Sequence, residues 1–234
     1  MSSTQQPLFR IGKSFRFEAT RRLDGGTYDG HSFTAEAVLT SMRLTPEGFV
    51  ADFGDLAPLK RYIDGTLDHQ VLNDYVEDVS NEGLARHLLG WAKSNLPADV
   101  VSVLEEVRVR TGRPQALPSA AFASFEASHQ LHGLRDGHPC GRLHGHSYVL
   151  NVPVSAVPRL GDVPVLLRNH LRSAMHGKVL NQVIPGLNPT SENLAQHFSQ
   201  WLTDRAMGGP GWDGTCVRIS ETETSWAEYV GGTA

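Results

Sequence analysis

Six short segments in the first half of this chain recur in the second half, in the same order. Phe17-Glu18-Ala19-Thr20 returns as Phe125-Glu126-Ala127-Ser128, and Gly30-His31-Ser32-Phe33 as Gly145-His146-Ser147-Tyr148. Gly54-Asp55-Leu56 pairs with Gly161-Asp162-Val163, and Val71-Leu72-Asn73 with Val179-Leu180-Asn181. Glu82-Gly83-Leu84-Ala85 pairs with Glu192-Asn193-Leu194-Ala195, and Val107-Arg108-Val109 with Val217-Arg218-Ile219. The offset stays between 107 and 115 residues throughout. One such match arises by chance; six collinear ones mark a diverged tandem duplication, which commits the chain to two similar domains. The Gly- and Pro-containing stretch Thr111–Ser119 reads as their connection, so the domains are expected at 1–116 and 117–234.

Phe15–Ala19 and His31–Met42 alternate apolar and polar residues, as half-buried strands do. Asp55–Leu67 and Glu82–Ser94 carry apolar residues at helical spacing, and Val100–Val109 returns to a β-rich pattern. The second half repeats the order through Phe122–Gln130, Ser147–Val154, helices near 163–175 and 191–203, and a strand from Thr215. Strands first and last with helices between them define an α+β class. From His31 to Gly54 is 23 residues but from His146 to Gly161 only 15, so the second copy has lost part of a hairpin.

Composition narrows the function classes. The net charge is −4, with acidic and basic residues interleaved, which fits neither a nucleic-acid footprint nor a polybasic membrane patch. No apolar run approaches the ~20 residues that span a bilayer, and Met1–Phe15 lacks an apolar signal-peptide core. With only Cys140 and Cys216, a disulfide framework is not expected and a reducing cytoplasm is the default.

Five of the 11 histidines fall between 129 and 146. His144 and His146 are two residues apart at the start of a strand pattern, so both imidazoles face one side. His129 ends the preceding strand of the same hairpin, within cross-strand reach. Three neutral imidazoles and an open position make the arrangement of a catalytic zinc site. The plainer reading of such histidines is hydrogen bonding at the surface, because a lone His-x-His is a weak signal. A thiol four residues before a ligand, Cys140, can be held near the ion as a proton-moving thiolate. Cys216 lies in a strand pattern and reads as packing, while His132 and His138 fall in the loop with no assigned role.

The whole string Phe125-Glu126-Ala127-Ser128-His129, then His138-Pro139-Cys140-Gly141-Arg142-Leu143-His144-Gly145-His146-Ser147-Tyr148, resembles the signature of the 6-pyruvoyltetrahydropterin and 6-carboxytetrahydropterin synthase family. The wording from Cys140 to His146 is closer to the carboxytetrahydropterin branch, that of the queuosine pathway. The resemblance implies two copies of the tunnelling fold, each an antiparallel β-sheet with two helices on one face, assembled into a homo-oligomer. It implies that His129, His144 and His146 bind Zn2+ and that Cys140 is a catalytic acid/base. The first copy lacks that site, since Arg21 and Asp29 replace two ligands and only His31 remains. It keeps Asp68-His69, resembling the family pair that works with the cysteine from a neighbouring subunit, where the second copy reads His176-Gly177. The two losses are complementary, which implies a composite site: zinc and Cys140 from a second copy, Asp68 and His69 from a first. Glu221 resembles the glutamate that takes the pterin edge, with Glu223 the alternative that strand alternation disfavours; Thr111 stands in the place of Glu221 in the first copy. Pro189-Thr190-Ser191-Glu192 resembles the family helix start, so Thr190 and Glu192 are candidate substrate contacts or simply a capping box.

The expected reaction is zinc-dependent conversion of 7,8-dihydroneopterin triphosphate to 6-carboxytetrahydropterin, releasing acetaldehyde and triphosphate. The rivals are 6-pyruvoyltetrahydropterin formation from the same substrate and a non-catalytic pterin or purine binder with a structural zinc. No Gly-rich phosphate loop is present, and the sequence does not single out the basic residues that would hold a triphosphate.

Overall fold

The computed structural model describes residues 7–25, 27–112, 123–152, 163–205 and 216–231. Most of the expected connection near 116 and the Gly161-Asp162 repeat element lie outside the described residues. The chain forms two compact units. One contains the described residues of 12–40 and 51–112; the other contains 7–11, 41–50 and the described residues from 123 onward.

The first unit runs through β1 (Leu8–Arg22, of which 12–22 belong here), β2 (Tyr28–Ser41), α1 (Ala57–Tyr62), β3 (Gln70–Val71), α2 (Asn81–Asn95), α3 (Ala98–Val103) and β4 (Leu104–Thr111). β2 lies between β1 and β4, and pairs antiparallel with β4 from Phe33 opposite Thr111 to Leu39 opposite Leu104. Helix α2 forms because Leu84, Leu88 and Ala92, spaced by four, bury one stripe, while the Ser80 hydroxyl accepts the Gly83 N–H at 3.0 Å. Val100–Val103, expected as strand from its β-branched residues, is helical instead. Val101 N–H bonds to Pro97 O, Asp99 stands in the first turn and Val100 is buried, so tertiary contact overrides a weak propensity.

The second unit contains β5 (Ala123–His129), β6 (His144–Asn151), α4 (Val163–His170), β7 (Lys178–Val179), α5 (Leu180–Val183), α6 (Ser191–Arg205), β8 (Val217–Thr222) and β9 (Ser225–Val230). The strand order is β9-β8-β6-β5-β7. Alternate residues Phe125 and Ala127, Tyr148 and Leu150, and Val217 and Ile219 turn one sheet face to Leu167 of α4, to Leu171 just after it, and to Leu194, Phe198 and Leu202 of α6. This is the expected α+β layer, with one difference. β7 joins β5 in parallel, as β3 joins β1, so the strand pairing within each unit is mixed rather than purely antiparallel. Strand β9 goes beyond the sequence expectation, although Ser225–Val230 has the β-branched and aromatic content that follows a turn. Phe9 packs against its Tyr229 with ring centroids 5.1 Å apart.

The duplication is as plain in space as in sequence. Phe17 stacks on Phe33 and Phe125 on Tyr148 with the same centroid distance, 5.0 Å, and the same 13° tilt. Asn73 bonds both backbone groups of Arg22, and Asn181 both of Gln130.

The hairpin residues that the second copy lacks are supplied to its unit by the first copy's segment 41–50. Gly48 O accepts the Thr190 hydroxyl at 2.8 Å, Glu47 O accepts the Asn188 amide, and Val50 N–H donates to Glu192 at 3.1 Å. Segment 41–50 therefore clamps the start of α6. Gly48 has φ +94°, and a Cβ there would collide with the Asn193 side chain. Gly48→Ala should cost about 2 kcal/mol or more, the left-handed penalty plus the clash, read as a lower denaturation midpoint. Unchanged stability would show that the clamp is not strained by a side chain. Among the described residues, no helix is long and apolar enough to cross a membrane.

Candidate metal centre

β5 and β6 pair so that His129 stands opposite His144 and Ala127 opposite His146. The pleat sends His144, His146 and Tyr148 to one face, and the three imidazoles converge there. Their ligand atoms lie within 4.8 Å of one another, and the rings sit 4.5, 5.1 and 4.9 Å apart pairwise. His129 is 1% exposed.

The hydrogen bonds around the rings fix their tautomers. His129 Nδ1 is 2.8 Å from Pro189 O and His144 Nδ1 is 2.7 Å from Arg142 O. A carbonyl only accepts, so each Nδ1 carries the proton and each Nε2 presents a bare lone pair. Those two Nε2 atoms face each other at 3.1 Å. Two lone pairs at that distance repel unless a cation stands beside both. Nitrogens each 2.0–2.1 Å from one tetrahedral ion would lie about 3.3 Å apart. The His129 and His144 rings are thus oriented from outside by main-chain carbonyls. Burial lowers the pKa of His129 and of His146, favouring the neutral form that a metal ligand needs. The donor set fits a metal ion.

Cys140 is half-buried on a short turn, Pro139–Gly141, whose preceding His138 accepts the Cys140 N–H through Nδ1 at 3.1 Å. This gives His138 a capping role that the sequence left unassigned. The Tyr148 hydroxyl lies 3.2 Å from His129 Nδ1, and burial, then the charges of Glu221 and Cys140, push its pKa up. Glu221 sits where β8 and β9 shift register, a bulge of the kind that re-aims side chains, and accepts the Ser191 hydroxyl at 3.0 Å. It lies close enough to His129 and His146 to favour their charged forms. Cys216 is half-buried beyond this group, its thiol pushed up by burial and by Glu228.

Thr190 and Glu192 are buried, at 1% and 4% exposure. Thr190 accepts the Asn193 N–H at 3.2 Å and so caps α6. Glu192 closes no capping box with it, because a box takes the residue three after the cap, here Asn193; the Glu192 carboxylate takes the Val50 N–H. Burial raises the Glu192 pKa to about 8. Since the folded value lies above the ordinary 4.5, the folded chain holds the extra proton between these pH values, and stability falls as pH rises through that window. Glu192→Gln should remove this slope and stabilise the metal-free protein above pH 8, by up to roughly 5 kcal/mol at 1.36 kcal/mol per unit. Parallel melting curves of the two proteins from pH 5 to 9 would refute this.

In the first unit the corresponding places hold no such site. Arg21 bonds Asn81 and lies over the Phe33 ring, and His31 Nε2 pairs with Asp29 at 2.8 Å. The guanidinium already supplies the cation. Asp68 and His69 form a dyad: Asp68 accepts the Glu18 N–H and the His69 Nδ1–H, both at 2.8 Å, which hold its pKa below the usual carboxylate range. His69 Nε2 is left facing outward on a side chain 76% exposed. The pair sits at a bend, where the sequence expectation put it, and His69 has φ +59°, a left-handed conformation. In the second copy His176 Nδ1 takes the equivalent Glu126 N–H, and Gly177 occupies the left-handed position with φ +71°. The first copy keeps an imidazole where the backbone favours glycine, at a cost of about 1 kcal/mol.

The sequence profile of the family described as "6-pyruvoyl tetrahydropterin synthase" matches residues 10–116 and again 120–232. A protein of Archaeoglobus fulgidus provisionally named 6-carboxy-5,6,7,8-tetrahydropterin synthase is 27% identical over 111 residues, 45% of this chain and 88% of that one. Among solved structures, the 6-pyruvoyl tetrahydropterin synthase of Caenorhabditis elegans is 20% identical, with TM-score 0.39, over 48% of this chain and all of that one. An uncharacterized protein of Wolinella succinogenes is 18% identical, with TM-score 0.26, over 94% and 97%.

Proposed function

The chain belongs to the 6-pyruvoyl tetrahydropterin synthase family, and on that footing we propose that it is a zinc-dependent 6-carboxytetrahydropterin synthase. The substrate is 7,8-dihydroneopterin triphosphate; water enters, and acetaldehyde and triphosphate leave. The observation that carries the reading is the pair of unprotonated Nε2 atoms held face to face by carbonyls on their far sides, with His146 beside them. Bound there, zinc acts as a Lewis acid that acidifies the substrate's side-chain hydroxyls and adjacent C–H groups.

The other residues handle protons and orientation. Cys140, four residues before His144, exchanges protons with the side-chain carbons. His69 Nε2 accepts or returns a proton, while Asp68 holds the Nδ1–H tautomer and stabilises the imidazolium. In the homo-oligomer, a dyad from a first copy completes the centre of a second copy; the left-handed His69 is what supports its role. Glu221, set by Ser191, accepts the two parallel N–H donors of the pterin edge. Thr190 and Glu192, buried at the start of α6 and bonded to residues 48–50, support this end of the site from behind. Such an enzyme needs no nucleic acid and no membrane, and works in the cytoplasm.

Incubating the zinc-loaded protein with 7,8-dihydroneopterin triphosphate and identifying the products by mass spectrometry tests the reading. 6-Carboxytetrahydropterin with acetaldehyde is expected. 6-Pyruvoyltetrahydropterin would move the chain to the other branch, and no product would make it a binding protein.

A further inference from the structure

The loop joining the two ligand-bearing strands is longer in the copy that keeps the metal ligands. From His129 to His144 is 15 residues, whereas from Arg21 to Asp29, the equivalent positions, is only 8. The first copy has thus shed both the ligands and the loop, which ties the loop to the chemistry rather than to the fold.

The loop is also built, not slack. Leu131 N–H bonds to Cys140 O at 3.0 Å, and the Gln130 amide to Gly141 O at 2.9 Å. Asn188 takes both backbone groups of His132 at 3.0 Å. Gly133 and Gly137 make the reversals with φ +80° and +78°. The resulting cleft, about 490 Å³, runs from Gln130 to Arg142 and is within the range of small-molecule sites. Its ends adjoin the metal ligands directly, because Gln130 follows His129 and the Arg142 carbonyl orients His144. Its walls are polar: Arg135, Arg142, His132 and His138 outnumber the single carboxylate, Asp136.

We propose that this cleft seats the triphosphate of the substrate, with Arg135 and Arg142 as its principal anchors. The proposal rests on the lyase reading for the identity of the anion, but on the cleft alone for its chemistry, that of a linear polyphosphate. A triphosphate is attached to the end of the pterin side chain, so it must lie within a few bonds of the carbons that approach the metal. Arginine is suited to that task because its planar fork takes two phosphate oxygens at once.

Titration calorimetry with inorganic tripolyphosphate tests this without turnover. The zinc-loaded wild type should bind it, and the R135A/R142A double variant should bind at least 30-fold more weakly, on the order of tenfold for each charge-assisted hydrogen bond removed. Zinc content, measured on the same samples, should not change. H146A, which lacks the metal, should keep affinity within a few-fold. Equal binding by wild type and R135A/R142A would overturn the proposal, and so would loss of binding in H146A, which would make the metal the anchor. If turnover fails while tripolyphosphate still binds through the arginines, the lyase reading falls and the anion site stands. If turnover proceeds, KM for the triphosphate substrate should rise in R135A/R142A by more than kcat falls, whereas binding of unphosphorylated dihydroneopterin should not change. Restoring affinity with Arg142→Lys only in part would fit loss of the planar fork.

Discussion

His146→Ala is expected to strip the metal from the protein and reduce turnover by about three to four orders of magnitude. His146 is the ligand to test because its side chain is only half-buried, so the sheet survives its loss, whereas His129 is packed under Pro189 and Tyr148. Removing an outer-shell partner already costs 10–100-fold in metal affinity, and removing one of three ligands must cost more. Losing several kcal/mol of Lewis-acid stabilisation, at 1.36 kcal/mol per factor of ten, gives the predicted fall in rate. Metal analysis after gel filtration and a product assay check both halves. Zinc retained at one equivalent, or turnover near wild type, would refute the assignment of His146 as a ligand.

Replacing His69 should separate activity from stability. His69→Ala and His69→Gly should each lower kcat by about 10²–10⁴-fold, the usual contribution of a positioned acid or base, while zinc content stays unchanged. His69→Gly should also leave the fold as stable as before, or more stable by up to about 1 kcal/mol. It relieves the left-handed strain at φ +59° and loses only an exposed ion pair worth little in water. The second copy already carries Gly177 at this position. A residue kept for folding would show the opposite pattern. Full activity in His69→Ala would remove the dyad from the mechanism, and a destabilised His69→Gly would remove the strain argument.

Much of this was legible because duplication and alternation are written directly in the residues. The alternation through His144, His146 and Tyr148 placed three side chains on one face, and the hairpin brought His129 opposite His144. What was not legible came from the main chain. The carbonyls of Pro189 and Arg142 that orient two of the rings leave no side-chain signature, nor does the left-handed turn at His69. Val100–Val103 misled for the usual reason: β-branched residues prefer strands only weakly, and a buried Val100 decided otherwise. Segment 41–50 read simply as a longer hairpin, because nothing in Glu47, Gly48 or Val50 announces that their backbone groups bond Asn188, Thr190 and Glu192.

The account depends most on three neutral imidazoles sharing one ion with a coordination position left for substrate. X-ray absorption at the zinc edge, on protein purified without added metal and quantified for metal per chain, examines this directly. One zinc per chain is predicted, with three imidazole nitrogens and one exchangeable oxygen at about 2.0–2.1 Å. A chain free of metal, or a zinc closed by a fourth protein ligand such as a sulfur at about 2.3 Å, would contradict it.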